Sequence, residues 1–172
     1  MAIKRFPPRA RTKRRVGRAP VVAVINTNDD LVQGLARDLE SDGYTVATAH
    51  IENIKSGSED FIAFLKRHEP AAVIYDIAIP YDDNWTFLNL LRELPMCGRI
   101  PFVVTTVNKA ALEARVGPTD TIEIRGGHAD DVQPTLEALR RALKTTERDE
   151  RSRLGKRLSE AKPRKHKSSR RR

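Results

Sequence analysis

Two kinds of apolar stretch alternate along this chain. Short unbroken runs at Val21 to Ile25, Tyr44 to Ala49, Ala71 to Tyr75, Ile100 to Thr105 and Thr121 to Ile124 have the length and β-branched content of buried strands. Between and after them, apolar residues recur at three- and four-residue spacing, as on one face of a helix. Leu31, Leu35 and Leu39 form the first such face, opened by Thr27 and Asp30 in the S/T-x-x-D arrangement and closed by Gly43. Phe61, Ile62, Phe64 and Leu65 form the second, with Ser58 as its cap and Pro70 as its stop. A third starts at about Asn84 or Trp85 and carries Leu88, Leu90, Leu91 and Leu94 to Pro95, and a short fourth runs from Asn108 to Gly117-Pro118. The last begins near Asp130 and carries Leu136, Leu139 and Leu143. Five strand–helix units with short connections predict an α/β domain, a doubly wound parallel sheet with helices on both faces.

Charge divides the chain into three parts. Residues 1–20 hold eight Lys/Arg and no acid, and residues 144–172 hold thirteen Lys/Arg and four acids. The intervening residues 21–143 carry a net charge of −8, so the overall +9 belongs to the ends. The expected organisation is a basic disordered segment at 1–19, a domain at 20–144 and a basic, mostly disordered segment at 145–172, because such charged stretches bury too little apolar surface to offset their ordering entropy. With Cys97 the only cysteine, no intramolecular disulfide can form. No apolar run reaches the roughly 18 residues of a membrane span. The N-terminus lacks the apolar stretch of a signal peptide. The expectation is a cytoplasmic protein without membrane contact.

The third strand ends in a carboxylate, Asp76, followed by Pro80 and by Tyr81-Asp82-Asp83-Asn84. In open parallel sheets the carboxyl edge is where ligands bind. Asp76 therefore reads either as a chemical group at that edge or as the cap of the turn that follows. Asp82 and Asp83 suit a solvated helix start, and Trp85 suits packing. His50 and His68 read as surface residues. Cys97 has no histidine near it in sequence and does not read as a nucleophile. Neither a Walker A sequence nor G-x-G-x-x-G is present.

The five units, with a carboxylate closing the third strand and a proline four residues on, resemble the receiver domain of bacterial response regulators over about residues 20 to 144. The resemblance implies a CheY-like, flavodoxin-like fold of strand order 2-1-3-4-5. It makes Asp76 the phosphoacceptor and matches Asp76 and Pro80 to the Asp-x-x-x-Pro spacing. Asn84 falls where the family often has glycine, asparagine being the next most tolerant of a left-handed backbone. The phosphoryl-pocket hydroxyl falls on Thr106, counted from Pro101, with Thr105 as the alternative. Two departures stand out. The pair of acids that holds Mg²⁺ in the family falls on Asn26 and Thr27, which leaves Asp76 and the carbonyl of Ala78 as the remaining family ligands. The lysine–proline pair of the fifth strand becomes His128-Ala129. His128, beside Gly126-Gly127, reads as an exposed loop residue or, when protonated, as a substitute for that lysine.

Phosphoryl transfer depends on positioning and charge stabilisation, and Mg²⁺ wants hard oxygen ligands, so the missing acids and lysine weaken both. Two receivers stay open, a phosphorylatable one and an atypical or pseudo-receiver with weak Mg²⁺ binding. In either case the expectation is a single-domain, non-enzymatic signalling protein of a two-component phosphorelay. Its partner is a sensor kinase or output protein. The alternative is an adaptor whose basic ends contact nucleic acid without sequence preference.

Overall fold

The computed structural model describes residues 19–124 and 129–160. Five parallel strands form one sheet in the order β2-β1-β3-β4-β5. They are β1 (Val21–Asn26), β2 (Thr45–His50), β3 (Ala72–Asp76), β4 (Phe102–Thr106) and β5 (Ile122–Glu123). Six helices accompany them: α1 (Asp29–Ser41), α2 (Ile51–Ser56), α3 (Phe61–His68), α4 (Tyr81–Glu93), α5 (Lys109–Val116) and α6 (Ala129–Glu160), with a short 3-10 turn at Cys97–Arg99. The expected doubly wound sheet of order 2-1-3-4-5 is the one observed.

Strand alternation divides the core into two layers. Val22, Val24, Ala72, Ile74 and Val103 pack with Leu35 and Leu39 of α1 and with Val132, Leu136 and Leu139 of α6. Ala23, Ile25, Val73 and Tyr75 face the other way, onto α2, α3, α4 and Leu112 of α5. Because both faces are covered, β3 is buried at every position, which explains why its sequence is an unbroken apolar run rather than an alternating one.

Local starts and stops differ from expectation where two residues compete for one role. Asn28, not Thr27, caps α1, its side-chain oxygen accepting from the backbone N–H groups of Asp30 and Leu31. Asp60, not Ser58, caps α3 in the same way. In both cases a short amide or carboxylate takes the cap. Thr27 and Ser58 serve elsewhere, the Ser58 hydroxyl donating to the carbonyl of Asn53. Helix α4 begins at Tyr81, three residues before Asn84, because Pro80 supplies a fixed extended residue that ends the loop. Gly43 (φ 88°) and Gly117 (φ 86°) close α1 and α5 in conformations that favour glycine.

Two features were not legible in the pattern. The six-residue α2 has only Ile51 and Ile54 as buried residues, too few to show a period. Helix α6 runs to Glu160, well past Leu143, the last residue of its expected apolar face. In this part Leu154 is exposed. The basic stretches at 1–18 and 161–172, and His128, lie outside the described residues.

Candidate functional site

The carboxyl edge of the sheet brings together Asn26 from β1, Asp76 from β3, and Thr105 and Thr106 from β4. All four are buried polar residues, between 0 and 4% exposed. Register decides which hydroxyl meets the carboxylate. Asp76 lies directly opposite Thr105 in the β3–β4 ladder, so the two side chains leave the sheet on the same face. Thr105 donates to Asp76 Oδ1 at 2.9 Å. Thr106, one residue on, points to the other face and donates to the carbonyl of Ile77 at 2.8 Å. Counting from Pro101 favoured Thr106. Pairing register gives the contact to Thr105, the alternative.

Burial dominates the electrostatics of Asp76. Removal from water raises its carboxyl from 3.8 to about 6, partly offset by the hydrogen bond from Thr105. Among the described residues no cationic side chain contributes to that balance. Next to it, burial and the neighbouring carboxylates of Asp76 and Glu52 hold the Tyr75 phenol well above its usual range, and the phenol oxygen has no hydrogen-bond partner among the described residues.

Several oxygens around the expected metal position already accept hydrogen bonds. Asn26 Oδ1 accepts from the backbone N–H of Asn28 at 2.8 Å. The carbonyl of Thr27 faces His50 Nε2 at 3.1 Å. The carbonyl of Ala78 accepts from the side-chain amide of Asn84 at 2.8 Å, and Asn84 Oδ1 in turn accepts from Lys55 Nζ at 2.8 Å. Among the described residues no group of three His, Cys, Asp or Glu side chains is placed to hold a metal. Asp76 is the single carboxylate of the expected set. Mg²⁺ favours octahedral oxygen ligation with carboxylate charge, so the residues at this edge do not fit it.

Asn84 thus has a role the sequence did not suggest. It is helical and buried rather than left-handed, and it links α4 to the β3–α4 loop and to α2. Lys55, on the unanticipated α2, was missed for the same reason that α2 was missed.

The remaining candidates fall as follows. Asp82 and Asp83 are exposed in the first turn of α4, where the helix dipole favours acids. Trp85 is half-buried against the core. His50 and His68 are half-buried rather than on the open surface, His68 tilted against Phe64 at 4.8 Å between ring centroids. Cys97 is buried, and burial pushes its thiol up, which disfavours the nucleophilic thiolate. No helix among the described residues is long and apolar enough to cross a membrane.

No protein-family model and no curated protein matches the chain. Solved structures do. The signal receiver domain of an HD domain-containing protein from Pseudomonas fluorescens Pf-5 is similar with a TM-score of 0.56 at 20% identity, over 80% of this chain and 96% of that one. A CheY-like response regulator receiver domain protein from Methanospirillum hungatei JF-1 is similar with a TM-score of 0.54 at 15% identity, over 76% and 98% of the two chains. The chemotaxis response regulator CheY4 of Vibrio cholerae is similar with a TM-score of 0.52 at 20% identity, over 72% and 98%. Sheet order, helix placement and these likenesses together establish that the chain has the CheY-like fold of response regulator receiver domains.

Proposed function

We propose that residues 20–144 act as an atypical receiver in phosphorelay signal transduction, working through contacts with a sensor kinase or output protein and not as an enzyme. Asp76 is the candidate phosphoacceptor of a degenerate pocket, and its modification is weak or absent. One observation supports this most directly. The carbonyl of Ala78, a metal ligand in the family, is held by the Asn84 amide, while Asp76 stands as a lone buried carboxylate bonded to Thr105. Phosphoryl transfer into such a pocket lacks the charge that offsets the incoming phosphoryl oxygens.

The test is intact-mass spectrometry after incubation with acetyl phosphate and Mg²⁺. The expected result is no gain of a phosphoryl group. Robust Mg²⁺-dependent modification that Asp76→Asn abolishes would refute the degenerate-pocket reading and restore a phosphorylatable receiver.

The separation of charge along the chain favours a second reading alongside the first. In it, the basic ends hold nucleic acid without sequence preference while the cytoplasmic domain recruits a protein partner.

A further inference from the structure

At the opposite edge of the sheet from Asp76, the amino ends of the strands and α6 enclose a cavity of about 680 Å³, lined in part by Pro20, Tyr44, Arg99, Arg140, Leu143 and Lys144. A second cleft of about 230 Å³ adjoins it, sharing Arg99 and Thr146 and adding Asp149 and Arg153. Both exist because α6 continues beyond Leu143 and so stands over the loop that leads into β4.

The charges here are not balanced. Arg140 is paired with Asp42, and Glu147 with Arg151. Arg99, Lys144 and Arg153 have no ion-pair partner among the described residues, and Asp149 is the one lining carboxylate without such a partner. Asp29, Asp30, Asp82 and Asp83 lie in first turns of helices at the carboxyl edge, whereas Asp42, Glu69 and Glu93 lie at helix ends on the amino edge. A strand of five residues separates the two edges by roughly 17 Å, more than a Debye length at physiological salt.

One basic stretch precedes the fold at this edge, and the other follows the far end of α6. Residues 1–18, with eight cations, join the fold through Ala19 and Pro20 at the cavity rim. Helix α6 leads from the same cavity toward residues 161–172, which hold seven cations and no acid. These stretches contain a single aromatic ring of the stacking type, Phe6, which argues for phosphate contact rather than base stacking and hence for duplex over single strand.

We propose that the amino edge of the sheet is a docking surface for the phosphate backbone of duplex nucleic acid, with Arg99, Lys144 and Arg153 as fixed phosphate contacts. This rests on the second reading above and adds to it a site on the folded domain.

The experiment is a fluorescence-anisotropy titration of a mixed-sequence DNA duplex with the full chain between 50 and 200 mM salt. Each phosphate contact contributes about 0.9 to the slope of log affinity against log salt, so the triple variant Arg99→Ala/Lys144→Ala/Arg153→Ala is expected to lower that slope by about 2.7. A charge-matched control, Arg37→Ala/Lys109→Ala/Arg115→Ala, alters exposed or half-exposed cations away from this edge and is expected to leave the slope unchanged. If the full chain binds with a steep slope and the triple variant keeps it, or if the control lowers it equally, the docking surface is refuted while binding by the ends stands. If the full chain binds no duplex at 50 mM salt, both are refuted. Capture of polyglutamate in place of duplex would overturn both in favour of an acidic protein partner.

Discussion

Replacing Asp76 by asparagine should stabilise the protein at neutral pH, although it removes the candidate phosphoacceptor. The carboxyl is 4% exposed and is raised from 3.8 to about 6 by burial. A group whose folded value lies above its unfolded one stabilises fully below the unfolded value, and that contribution is lost as pH rises through the folded value. Between pH 3.8 and about 6 the unfolded chain ionises while the folded one resists. By pH 7.5 the ionised carboxylate therefore weakens the fold by about 3 kcal/mol. Asparagine has the same shape, keeps an oxygen for the Thr105 hydroxyl, and never ionises. Its amide N–H groups bring an offset of about 1 kcal/mol if they find poor acceptors. The expected gain is therefore about 2 kcal/mol at pH 7.5, or about 4–8 °C in melting temperature for a chain of this size. At pH 4 the gain should vanish or reverse. Urea titrations of both proteins at pH 4, 6 and 7.5 measure it. A destabilised Asp76→Asn at pH 7.5, or a difference independent of pH, would mean that a cation compensates the carboxylate in the folded state, and the account of a lone buried acid would fail.

Three further outcomes follow from the same geometry. Thr105→Val removes the hydrogen bond that lowers the Asp76 carboxyl, so that carboxyl should titrate still higher in a carbon-13 NMR titration. Thr106→Val, which loses only its bond to Ile77, should leave that titration in place and destabilise by about 1 kcal/mol. The combined variant Asn26→Asp/Thr27→Asp/Asn84→Gly supplies two carboxylates and frees the Ala78 carbonyl, and should gain Mg²⁺ binding visible as a change in Trp85 fluorescence. No change would mean that the alignment of the β1–α1 loop is wrong. Deleting residues 1–18 and 161–172 removes little apolar surface and should move the melting temperature by less than about 2 °C, whereas a larger fall in calorimetry would mean that an end packs on the domain.

Much of this architecture is written in the chain order of its residues. An apolar run such as Ala71 to Tyr75 has few alternatives to a strand covered on both faces, and leucines spaced like Leu31, Leu35 and Leu39 can share a face only on a helix. The end of β3 at Asp76 and the charge of the basic ends are local chemistry, so sequence determines them directly, whereas at the starts of α1 and α3 two nearby polar residues compete for the cap and the fold decides between them. Distant contacts are different, because they depend on register and on which neighbour arrives first. One residue of sequence separates Thr105 from Thr106, yet the β3–β4 pairing sends them to opposite faces, and only Thr105 reaches the carboxylate. Asn84 reads locally as a turn residue, and only the approach of α2 and α4 lets it bridge Lys55 and Ala78. Pro20 and Lys144 are 124 residues apart in the sequence, and the fold brings both to the lining of one cavity, because β1 begins at the edge that α6 passes.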